Sequence, residues 1–180
     1  GVHVISVDEK TGIQALERIH PDHAMSKGKL ELHEFEYTRH GTQTLIANFE
    51  VATGKVICPT LGDTRTEDDF VAHIRATVST DPDAKWVFVG KFGILENMAS
   101  RAAFLKCPDH RIRFVYTPKH CSWLNQVEIW FGILSRRLLK RGSFPSTEVL
   151  NQRIMAFIEF FNETLAKPFR WTYIGKPLLV

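Results

Sequence analysis

Two carboxylates stand out because of where they fall. Asp8 follows a short β-branched run, residues 2–7 (VHVISV), and ligand sites in α/β sheets gather at the carboxyl ends of strands. Glu128 sits within residues 122–132 (SWLNQVEIWFG), where Leu124, Val127, Phe131 and Leu134 recur at helical spacing as a core-facing stripe beside it. On spacing alone each has an ordinary reading: an acid that ends a strand, and a boundary acid whose head reaches water. Other chemistries find less support. No His-x-x-x-His or His-Glu-x-x-His helix occurs, and His20 and His23 flank a proline. Cys58, Cys107 and Cys121 are odd in number and far apart, which argues against a zinc cage or a disulfide framework and for a reducing compartment. A basic cluster, Arg136, Arg137, Lys140 and Arg141, closes the segment that carries Glu128. Cations are favoured at a helix C-terminus by the macrodipole. The same residues would also make a phosphate track, because Arg136 and Lys140 share a helix face.

The elements that must position these groups are readable in outline. After residues 2–7, extended runs at 34–39, 42–53 and 55–58 are punctuated by His40-Gly41 and Thr53-Gly54, which predicts an antiparallel meander on the first strand. Residues 64–69 (TRTEDD) open a helix whose apolar positions Phe70, Val71, Ile74 and Val78 keep helical spacing. Asp81-Pro82-Asp83 stops it. Strands follow at 85–89 and 111–116, separated by a helix at 95–105, and helices at 122–140 and 147–165 complete the chain. Three antiparallel strands followed by alternating helix and strand predict a mixed α/β sheet with helices on both faces. The order β-β-β-α-β-α-β-α matches the ribonuclease H-like fold. With 180 residues, 44% hydrophobic and 24% charged, the whole chain, 1–180, reads as a single globular domain. Trp123, Trp130, Phe131, Phe157, Phe160 and Phe161 lie at helical spacings and read as core rather than as base-stacking platforms. The net charge of +3 leans toward a polyanionic partner. No apolar run approaches the roughly 20 residues that span a bilayer, so no membrane partner is expected.

Residues 7–18 (VDEKTGIQALER), 117–131 (TPKHCSWLNQVEIWF) and 137–144 (RLLKRGSF) closely resemble bacterial insertion-sequence transposases related to mariner elements. So do residues 39–44 (RHGTQT), 64–70 (TRTEDDF) and 168–172 (PFRWT), in the same order along nearly the whole chain. The resemblance implies a ribonuclease H-like catalytic core of the DDE class, a polynucleotidyl transferase and endonuclease of DNA transposition and recombination. It implies that Asp8 and Glu128 are the first and third catalytic carboxylates, ligands of two Mg²⁺ ions for which Mn²⁺ substitutes. Phosphodiester chemistry needs an activated water or 3′-hydroxyl and a stabilised leaving oxygen, and a pair of hard cations on oxygen ligands supplies both. The resemblance implies DNA as the partner, as transposon ends and as target, and a homodimer on DNA. Lys10, Lys119 and His120 flank the two acids and are candidate backbone contacts beside Arg136, Arg137, Lys140 and Arg141. A cytoplasmic, nucleoid-associated bacterial protein follows, with end recognition supplied by an N-terminal helix-turn-helix region that this sequence lacks.

One departure stands against the resemblance. In the relatives a second Asp follows the strand matching residues 86–89, which lies beside the first strand, in a stretch spelled Asp-Asn-Leu-Asn-x-His. Here Gly90-Lys91-Phe92-Gly93 follows Val89, spelled like a segment that comes later in those proteins. A block between Val89 and Gly90 is therefore expected to be missing, and the second Asp with it. Asp81 and Asp83 precede the strand and Glu96 lies beyond its exit, so none is nominated in its place. Two other readings stay open: a transposase relic that binds DNA without cutting it, and a ribonuclease H-like nuclease acting on other nucleic acids.

Overall fold

The computed structural model describes residues 1–20, 25–30, 35–90, 111–117 and 125–168. Five strands, β1 (Val2–Arg18), β2 (Tyr37–Glu50), β3 (Val56–Gly62), β4 (Lys85–Gly90) and β5 (Ile112–Tyr116), form one sheet in the order β3-β2-β1-β4-β5. The first three are antiparallel, as the meander predicted, and β1, β4 and β5 are mutually parallel. Residues 2–6 of β1 pair with 85–89 of β4, so the two strands lie side by side as expected. Beyond Ser6 and Val89 that pairing stops, while β1 runs on against β2 alone.

Among the described residues three helices cover the sheet: α1 (Glu67–Ser79), α2 (Gln126–Leu134), which passes into a π turn at Ser135–Leu139, and α3 (Thr147–Thr164). Phe70 and Ile74 of α1 pack on one face against Ile5, Val7, Ile46, Trp86 and Phe88. On the other face Val127, Trp130, Phe131 and Leu134 of α2, with Leu150, Ile154, Ile158 and Phe161 of α3, cover Ile13, Leu45, Ala47 and Phe49. Helices on both faces follow from strands that are apolar on both sides. The helix expected over 95–105 lies outside the described residues.

Several boundaries differ from the sequence reading, each for a local reason. Strand β1 does not stop at Val7 but continues through Asp8 to Arg18, with irregularities between Lys10 and Ile13 and between Gln14 and Leu16. These bulges break the alternation that would have marked a long strand. Gly12, at φ +64°, and Gly41, at φ +126°, sit in them, so His40-Gly41 is an irregularity within β2 and not a turn. The first bulge also switches faces: Asp8 and Lys10 oppose Ala47 and Leu45, and Ile13 then returns to the same core. Helix α2 opens at Gln126, with Asn125 as its N-cap.

At the opposite end of β1, His3 stacks on Trp86 with ring centroids 4.3 Å apart. Its Nδ1 lies 2.6 Å from Glu50 and its Nε2 3.2 Å from Asp81. The hydrogen bond to Glu50 raises the His3 pKa above the ordinary histidine value.

Candidate active site

Asp8 lies where β1 outlasts its parallel neighbour, on the face that receives α2. Its Oδ1 accepts the backbone N–H of Glu9 at 2.8 Å, and its Oδ2 accepts Asn125 Nδ2 at 3.1 Å. Asn125 also donates to the Val7 carbonyl at 3.1 Å, and its Oδ1 accepts from the Ser6 hydroxyl. The Ser6 hydroxyl in turn accepts the N–H of Val127 at 3.0 Å. Ser6 and Asn125 are both buried, at 2% and 1% exposure, and every one of these bonds spans more than 115 positions of sequence except that to Glu9.

This arrangement inverts ordinary capping. An N-cap Asn normally turns its side chain back onto the first N–H groups of its own helix. Asn125 makes no such bond and spends both amide hydrogens on β1. The orphaned N–H of Val127 is satisfied by Ser6 instead. The first turn of α2 is thereby fixed to the strand residues on either side of Val7. Glu128 belongs to that turn, exposed, three residues after Asn125. An acid in the first turn is favoured by the helix macrodipole. The structure thus brings the turn carrying Glu128 to the strand segment carrying Asp8. Ser6 and Asn125 were missed in the sequence, although Asn followed by Glu three residues later is a helix-start signature.

Glu9 points the other way. Burial raises its carboxyl pKa, and Arg65, 3.5 Å distant, opposes that shift. Lys10 is two residues beyond Asp8 on the same face of β1. Arg136, Arg137, Lys140 and Arg141 all border one groove of about 620 Å³, with Phe157 and Phe160 as its apolar lining. Lys119 and His120 lie outside the described residues, as do Leu124 and Trp123.

Asp8 and Glu128 offer hard oxygen donors, which suit Mg²⁺ or Mn²⁺ by chemistry. In number they fall short. Among the described residues no group of three or more His, Cys, Asp or Glu side chains is placed to hold an ion. Strand β4 continues across the Val89–Gly90 step, and Gly90 pairs with Tyr116. A glycine therefore occupies the strand exit where the resemblance places an acid.

The sheet order, with a parallel wing added to an antiparallel meander and helices on both faces, defines a ribonuclease H-like α/β domain. Residues 3–151 match the family described as DDE superfamily endonuclease, and the chain belongs to that family. The fold is similar to that of the Mos1 transposase paired-end complex with left transposon end, with a TM-score of 0.62 and 13% identity over 87% of this chain. It is similar also to the Mos1 mariner paired end complex with Mn and to a pre-cleavage Mos1 transpososome, each with a TM-score of 0.61 and 14% identity over 87% of this chain. The chain spans about half the length of these proteins, 47% and 48%. No curated protein matches it. Among the described residues no helix is long and apolar enough to cross a membrane.

Proposed function

We propose that this chain is the catalytic core of a DNA transposase, cleaving phosphodiester bonds and joining strands at transposon ends. The observation that carries the reading is the Ser6–Asn125 joint. It ties the helix turn of Glu128 to the strand of Asp8 at the exit edge of the parallel strands. Asp8 and Glu128 would hold Mg²⁺ or Mn²⁺, which when bound polarises phosphoryl oxygen and lowers the pKa of water. The protein's own part is positional. Asn125 and the Glu9 N–H hold Asp8 in one orientation, each taking one lone pair of a carboxylate oxygen and leaving another for a ligand. Lys10 and the four cations bordering the 620 Å³ groove hold backbone phosphates, and a water or a 3′-hydroxyl serves as nucleophile. Lys119 and His120 would add contacts near the cut. Action at transposon ends and target DNA, as a homodimer in the bacterial nucleoid, belongs to this same reading.

A second reading has its own support. A glycine at the exit of β4 leaves two of three acids, which favours a domain that binds DNA and does not cut it. A missing block after Val89 accounts for both the glycine and the displaced spelling. Intact mass decides whether the block is absent from the protein, since the sequence as it stands weighs 20.6 kDa.

Thermal melting of the full chain in millimolar Mg²⁺ or Mn²⁺, beside cleavage of end-labelled DNA, tests the catalytic reading. Metal that binds only the folded state at about 100 times its Kd adds about 2.7 kcal/mol. We expect a metal-dependent rise in Tm that Asp8→Asn abolishes, together with nicking. A Tm indifferent to metal in the wild type rules out an assembled site. A metal response without nicking, with DNA still bound, selects the second reading.

A further inference from the structure

Phe160 is half exposed, at 49%, although its helix buries Leu150, Ile154, Ile158 and Phe161 in the core. It leans into the groove bordered by Arg136, Arg137, Lys140 and Arg141, with Phe157 beside it. No acidic side chain is among the described residues that line this groove. A π turn closes one residue later than an α turn, here through the Lys140 N–H to the Ser135 carbonyl at 2.9 Å. The four cations lie in and just beyond it.

The groove continues toward the candidate active site. A second depression of about 450 Å³ shares Arg136 and Arg137 and reaches back to Gln126 and Ile129, in the turn that carries Glu128. Ile129, the residue next to Glu128, is itself 46% exposed. From Glu128 to Leu139 the helix covers roughly 16 Å, or about five phosphates of a stacked strand.

A duplex offers such a surface its phosphates but keeps its base faces covered. Phosphate binding alone explains four cations and leaves an exposed phenyl ring among them without a role. A basic groove combined with an exposed aromatic is what unpaired nucleotides require, because phosphates follow the cations while a base stacks on the ring. We propose that this surface, from the first turn of α2 to the C-terminal half of α3, holds an unpaired stretch of the DNA strand, with a base on Phe160. The inference rests on the DNA-processing reading above and adds the state of the DNA.

The test is equilibrium binding of the full chain to a fluorescein-labelled oligothymidylate, a duplex of equal length and an oligouridylate. The wild type should prefer oligothymidylate to duplex. Phe160→Ala should weaken oligothymidylate binding about tenfold, the size of one lost base stack, and leave duplex binding within about twofold. Phe160→Trp should restore it, and Arg137→Gln should weaken both DNA probes and flatten their salt dependence. Because Phe160 is half exposed, its truncation leaves the core intact, which an unchanged Tm verifies. Duplex preference, or equal losses on both DNA probes in Phe160→Ala, overturns the inference alone. Tighter binding of oligouridylate overturns DNA as the ligand. Failure to bind any probe overturns the inference together with the reading beneath it.

Discussion

Helices α1 and α2 start in opposite ways. At α1, Thr66 accepts the Asp69 N–H at 3.1 Å while Asp69 accepts the Thr66 N–H at 2.7 Å, a capping box closed within four residues. At α2 the N-cap side chain turns away, and Ser6 of β1 takes over. Helix α1 makes its distant polar contacts from its middle to its last turn instead, where His73 meets Thr60 and Thr77 meets Asn48. A helix that caps itself needs only its own sequence to begin. One that is capped by a strand begins where the strand dictates, and here that strand carries a candidate catalytic acid.

The sharpest way to break this contrast is Asn125→Ala. It strands the buried Ser6 hydroxyl and the Val7 carbonyl, and should cost about 2–4 kcal/mol in urea unfolding. A loss no larger than that of a surface cap would erase the distinction. On the α1 side, burial depresses the His73 pKa from 6.5 to about 4. Its stability contribution is complete above pH 6.5 and is lost as pH falls toward 4, because the unfolded state binds the proton first. That loss should reach about 3 kcal/mol, and His73→Gln should flatten the slope between those values. Thr66→Ala removes only the local box and should cost about 1 kcal/mol. The smallest effect belongs to His3, whose raised pKa comes first from its hydrogen bond to Glu50. Its contribution is present below pH 6.5 and fades as pH rises through the elevated value. Partial exposure holds it to a few tenths of a kcal/mol, read as the difference between wild type and His3→Asn across neutral pH.

What could be read from the sequence follows the same division. The start of α1 was legible because TRTEDD carries its own partners. The strand at 85–89 and the helix from Thr147 were found because alternation and helical spacing are local signals. The full length of β1 was hidden by bulges at Gly12 and opposite Gly41, which interrupt alternation without ending the strand. The start of α2 was placed too early, since what fixes it is Ser6, more than a hundred positions away. Asp8 and Glu128 could be nominated from spelling; Ser6 could not, because its partner is 119 positions away, and the one local signal at Asn125, a Glu three residues on, went unused. Phe160 was read as core from its spacing, and only the assembled helix pair leaves it at the surface.

The Ser6–Asn125 joint also bears on synthesis. Within this domain Ser6 and Asp8 are translated before β2 and β3, so the meander can pair before α2 and α3 are made. Its face bearing Leu45, Ala47 and Phe49 then stays uncovered until α2 and α3 emerge. Long-range closure of this kind is slow, and the interval leaves an apolar sheet open to aggregation. It also means that a nascent chain in which α2 has not yet been made lacks the Asn125 contact that orients Asp8. The orientation of Asp8 therefore waits on a helix translated more than a hundred residues after it.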